Sequence, residues 1–97
     1  MRVAALVLAA ALANAAAAAP DYPQRVASMN LCTDSMLFEL ARPEQVISVT
    51  TLSRDPDVSY FAARSRDVHV NRGLAEEVIE LQPDLVLTGV HTASGAN

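Results

Sequence analysis

The chain has 97 residues, with seven basic side chains against eleven acidic ones and a formal net charge of −4. Every basic residue is Arg and Lys is absent, a balance that argues against a nucleic-acid binder, which needs a basic stripe to follow phosphates. The length allows at most one small domain.

The apolar fraction of 52% misleads, because eleven of the eighteen Ala residues lie in the first nineteen positions. Met1-Arg2 gives a short positive start, and Val3 to Ala13 is an uncharged apolar run. Asn14 and the small residues Ala15 to Ala19 follow. This is the order of a cleavable export signal, with the cut near Ala18 or Ala19. The apolar run is shorter than the roughly 20 residues of a spanning helix. Residues 20–97 then carry a charge of −5. The only cysteine, Cys32, cannot form an intrachain disulfide and sits too far past the apolar run to carry a lipid anchor. A soluble exported protein is expected, periplasmic in a cell with two membranes.

After the leader, Pro20 and Pro23 give an extended lead-in. Arg25 to Met29 is a short strand. Leu31 to Ala41 is a helix whose apolar positions Thr33 (through its methyl), Met36, Leu37, Leu40 and Ala41 follow the i, i+3, i+4, i+7, i+8 pattern. Asn30 or Thr33 can cap it, Asp34 suits its positive end, and Pro43 lies just beyond it. Gln45 to Thr50 is a second strand. Asp57 to Arg64 is a second helix, with Val58, Phe61 and Ala62 on one face. Val68 to Val70 is a third strand, in which His69 alternates with two valines. Leu74 to Leu81 is a third helix, with Glu76 and Glu77 in its first turn and Pro83 after its end. Asp84 to Thr88 is a fourth strand, apolar on both faces.

Short β-branched strands alternating with one-sided helices imply an α/β fold with an open parallel sheet of about four strands and right-handed crossovers. In that rhythm a further helix would cover the fourth strand, so residues 20–97 read as part of a longer α/β protein.

Three segments carry a resemblance. Arg25-Val26-Ala27-Ser28-Met29-Asn30-Leu31-Cys32-Thr33-Asp34 resembles the opening strand and first turn of the helical-backbone periplasmic binding proteins, the receptors for ferric siderophores, haem and cobalamin that feed ABC importers. Leu52-Ser53-Arg54-Asp55-Pro56 resembles the segment after that family's second strand. Ala75 to Leu87, with Glu76 and Leu81-Gln82-Pro83-Asp84, is similar to its Glu-bearing helix, Leu-x-Pro-Asp and apolar strand. The resemblance covers Pro23 to Thr92 and implies an incomplete N-terminal lobe of a two-lobe protein, the joining helix and second lobe being unmatched. It implies a substrate-binding component for a metal chelate, with no bond broken and no resident cofactor or metal. It also implies that Glu76 docks onto arginines of an ABC permease in the inner membrane; the other reading is that Glu76 and Glu77 only complement the helix dipole.

In an open parallel sheet the loops at the carboxyl ends of the strands line the binding crevice. Those loops supply the candidate ligand-binding residues Asn30, Leu31 and Cys32, then Ser53 and Arg54, then Asn71 and Arg72, and last His91. Helix starts favour anionic or oxygen-rich ligands, and Arg54 and Arg72 add planar charged donors. Each has a plainer reading: Arg54 pairing with Asp55 or Asp57, Asn30 and Asn71 as caps, Cys32 as a small half-buried residue. Two His at positions 69 and 91 do not form a recognisable metal site. Two other classes compete, an exported α/β enzyme and an inactive truncated fragment. The enzyme class lacks a glycine-rich phosphate loop after the first strand, a Gly-x-Ser-x-Gly elbow and closely spaced metal ligands.

Overall fold

The computed structural model describes residues 21–90; the leader and His91 lie outside the described residues. The elements are β1 (Val26–Ser28), α1 (Leu31–Leu40), β2 (Val46–Thr50), β3 (Val70–Asn71), α2 (Ala75–Ile79) and β4 (Leu85–Leu87), with 3-10 turns at Pro43–Gln45, Thr51–Arg54 and Arg64–Asp67. The strands form one four-stranded sheet in the order β3-β2-β1-β4, and every pairing is parallel. The chain is an α/β protein, as the alternation of strands and helices predicts.

The two helices pack on opposite faces. On one, Phe38 of α1 meets Val49 and Phe61, with Val46, Val68 and Val70 around them; Phe38 and Phe61 stack with ring centroids 5.3 Å apart. On the other, Val78 of α2 meets Ala27, Met29 and Ile47. The β1–β2 register shifts between Val26 and Ala27. That irregularity lets Val46 and Val49, three residues apart, serve the same face. Val49 and Val78 are fully buried and contribute roughly 1.5–3 kcal/mol each.

Three expectations need correction. The second helix does not form: residues 56–58 and 60–63 make turns that lead into the 3-10 turn Arg64–Asp67. Local side chains capture the backbone there. Asp55 Oδ1 accepts the Asp57 N–H at 2.9 Å, and Ser59 Oγ accepts the Phe61 N–H at 3.2 Å. Such bonds offer the chain an alternative to helix, and Pro56 disfavours helix at Asp55. The buried side of α1 is also rotated from the expected one. It carries Asp34, Leu37 and Phe38, whereas Met36 and Leu40 are 53% and 80% exposed. The apolar pattern cannot register a carboxylate as inward-facing. Cys32, expected to be half-buried, is exposed.

β4 is fastened at its entry by a clamp from the start of β1. Asp84 accepts the backbone N–H groups of Gln24 and Arg25, both at 2.8 Å. The Arg25 guanidinium donates to the carbonyls of Gln82 at 3.1 Å and Leu81 at 2.6 Å. Gln82 stands at φ 53°, the left-handed turn that ends α2, and the guanidinium holds this costly conformation in place. The two N–H groups hold the Asp84 carboxyl below the ordinary carboxylate range. The backbone N–H of Arg72, and then its side chain, do the same for Glu77. A carboxyl with a lowered native pKa adds stability that is complete above its unfolded value, about 4, and is lost as pH falls through the native value. Urea midpoints are therefore expected to be flat near neutrality and to drop below about pH 4, with Asp84→Asn reducing the drop. An acid limb of equal depth in Asp84→Asn would rule the clamp out as its source.

Candidate functional site

Because all strands run the same way, the chain leaves each of them at one edge of the sheet. The residues after β1 (Met29, Asn30), after β2 (Thr51–Arg54), after β3 (Arg72, Gly73) and after β4 (Thr88–Val90) share that rim. From β1 the chain steps outward to β2 and β3, then returns to place β4 on the other side of β1. The carboxyl ends of β1 and β4 are thus the topological switch point, where open α/β sheets form a crevice. α1 begins there, capped by Asn30, whose Oδ1 accepts the Cys32 N–H at 2.8 Å. Ser28 and Thr33 hydroxyls lie 2.6 Å apart beneath this turn; one donates to the other, and the second donates to the Asn30 carbonyl, which is within reach of both. Leu31 is half-buried, and the Cys32 thiol is exposed at the first turn of the helix.

The other candidate residues divide by where their polar groups point. Ser53 is fully buried and donates to Asp34 Oδ2 at 2.7 Å. Thr50 donates to the same carboxylate through its hydroxyl and through its N–H, the latter at 3.1 and 3.2 Å. Asp34, read as a dipole partner, is thus a buried knot tying α1 to the end of β2. Asn71 is 1% exposed. Its Nδ2 reaches the Ser28 carbonyl at 2.9 Å, Ser48 Oγ at 2.8 Å and the Val49 carbonyl at 3.1 Å. Its Oδ1 accepts the Gly73 N–H at 2.9 Å, where Gly73 turns at φ 77°. Asn71 bolts three strand ends together and caps no helix. Ser48 Oγ also lies 3.2 Å from His69 Nδ1, but Ser48 is fully buried, so the pair is a strut and not an accessible nucleophile with its base.

The two arginines are engaged. Arg54 donates from Nη2 to the Val68 carbonyl at 2.9 Å, and not to Asp55 or Asp57. Arg72 binds Glu77 through its Nε and its backbone N–H, both at 2.7 Å. The Arg72 side chain is 71% exposed, so this pair is worth little in stability. It does fix the guanidinium on the rim. Glu76 is exposed in the first turn of α2. Among the described residues no three His, Cys, Asp or Glu side chains gather as a metal-binding group.

Among the described residues, an apolar groove and a cleft lie away from the rim. The groove of about 240 Å³ runs between α1 (Met36, Leu40) and β4 (Leu85, Leu87), with Val26 in its wall. The cleft of about 320 Å³ sits at the amino end of β2, walled by Phe38, Pro43, Val46 and Val68, with Arg64 and Asp67 among its lining residues. The sequence gives no sign of this cleft, because the expected helix ends at Arg64 and leaves Asp67 beyond it, whereas one 3-10 turn carries both. The chain was compared with protein-family models, curated proteins and solved structures, and nothing matches it.

Proposed function

We propose that the chain is the ligand-binding part of the N-terminal lobe of an exported substrate-binding component, which captures a ferric siderophore, haem or cobalamin and delivers it to an ABC permease. The observation that carries the reading is the strand order β3-β2-β1-β4 in an all-parallel sheet. It puts Asn30, Leu31, Cys32, Arg72 and the exit of β4 on one rim, with the first turn of a ten-residue helix at its centre. Amide-rich helix starts suit oxygen-rich chelates. Asn71 and Ser53 serve this rim from beneath, by fixing the turns that carry the exposed groups. Export by residues 1–19 and a periplasmic site of action belong to the same reading.

A titration of the isotope-labelled chain with a ferric hydroxamate chelate, haemin and cyanocobalamin tests it. Saturable shifts at the Asn30, Leu31 and Cys32 amides are expected with one of the three. No saturable response at the rim with any of them overturns the reading. In the intact transport system, Glu76→Arg is expected to abolish uptake and leave chelate affinity unchanged, because Glu76 is solvent-exposed at the helix start. Unaltered uptake would end the docking role.

A further inference from the structure

A second site emerges at the opposite end of the sheet from the rim. The cleft of about 320 Å³ lies at the lower end of ligand-pocket volumes, roughly 300–1,000 Å³. Its walls, Phe38, Pro43, Val46 and Val68, are apolar, and two opposite charges, Arg64 and Asp67, line it. These occupy positions i and i+3 of one 3-10 turn, which places them on the same side.

The guanidinium is positioned before any ligand arrives. Arg64 Nη1 donates to the Phe38 carbonyl at 2.9 Å, one of the carbonyls left open by the last turn of α1. Its Cζ lies 5.3 Å and 5.4 Å from the Phe38 and Phe61 ring centroids, close enough for attraction to both rings. Nε and Nη2 make no hydrogen bond among the described residues. The Asp67 carboxylate likewise has no hydrogen-bond or ion-pair partner among them. The ion pairs among the described residues are Arg42–Glu44 and Arg72–Glu77, so Arg64 and Asp67, though neighbours on one small hollow, do not neutralise each other.

We infer that this cleft binds a small zwitterion with an apolar side chain, that is, a free aliphatic α-amino acid. The ligand carboxylate would take the two remaining Arg64 donor groups, a geometry the planar fork favours. Its ammonium would face Asp67, and its side chain would lie against Val46 and Val68. A ligand carrying only one charge would leave either Arg64 or Asp67 without a counterpart.

The test is a titration of the labelled 97-residue chain with L-leucine, 4-methylpentanoate (leucine without its amino group) and isoamylamine (leucine without its carboxyl). Saturable shifts at Phe38, Val46 and Val68 are expected with leucine, at an affinity about tenfold above either analogue. Asp67→Asn, which alters an exposed side chain with no partner to lose among the described residues, should weaken leucine about tenfold and leave 4-methylpentanoate unchanged. Equal affinity for leucine and 4-methylpentanoate, an Asp67→Asn effect of the same size on both, or no saturable response to leucine would each overturn the site.

Discussion

Asp34→Ala is expected to leave the fold with little or no net stability in water. The substitution removes a fully buried carboxylate and strands three donors that converge on it, the Thr50 N–H, the Thr50 hydroxyl and the Ser53 hydroxyl. Each buried donor without a partner costs about 1–3 kcal/mol. Even with partial relaxation the total is about 3–5 kcal/mol, against a whole-domain stability of 5–15 kcal/mol that small domains hold only at its lower end. Asp34→Asn is the informative companion. Its carbonyl oxygen can replace Oδ2 and keep both hydroxyl bonds, while its amide then meets the Thr50 N–H donor to donor, so about half the loss is expected. Urea denaturation followed by far-ultraviolet circular dichroism reads both variants. A loss below about 1 kcal/mol in the alanine variant would mean that Thr50 and Ser53 find other acceptors, and the knot would not be a stability element.

Asn71→Asp is the second large effect, and its sign depends on pH. The substitution is isosteric, so packing is kept. It turns a donor that faces the Ser28 carbonyl, the Val49 carbonyl and Ser48 Oγ into an anion facing two acceptors. A buried carboxylate so placed has its native pKa raised, since both burial and the carbonyls disfavour the charge. The native state then binds more protons than the unfolded chain. The variant is least damaged below about pH 4, where the carboxyl is neutral and can still donate one bond. It loses up to about 4 kcal/mol more as pH rises towards neutrality, the linkage limit for one carboxyl over about three pH units. Circular dichroism at pH 3.5 and 7 on Asn71→Asp and the parent chain would check this, once the parent's own acid loss is subtracted. A variant no worse at pH 7 than at pH 3.5 would mean that the carbonyls have turned away and the bolt is dispensable.

These two residues also mark where reading the sequence stops. Strand order aside, the fold was legible because apolar alternation and helix punctuation are local: Val46, Ile47 and Val49 between Pro43 and the Thr51 turn define a strand without reference to the rest of the chain. Asn30 was legible as a cap for the same reason, its partner Cys32 lying two residues away. Asp34 was not, because its partners lie 16 and 19 residues on. On a helix beginning at Leu31 an acidic residue in the first turn has a sufficient local explanation in the dipole. Asn71 joins residues up to 43 positions apart, and nothing in Asn71-Arg72-Gly73 records that its side chain turns inward. The failed second helix had the opposite cause. Val58, Phe61 and Ala62 keep helical spacing, but Asp55 and Ser59 satisfy the backbone locally and only Phe61 becomes buried.

The clamp between Arg25 and Asp84 has a kinetic meaning. β1 lies in the interior of the sheet, yet one of its two neighbours is β4, the last strand among the described residues, so its second ladder cannot close until a span of nearly sixty residues has been brought round. Long loops cost entropy before their contacts give anything back, and non-local parallel pairing is slow for that reason. A nascent polypeptide of this sequence is therefore expected to expose Val26 and Leu37 to solvent or to chaperones for as long as residue 84 is still to be made.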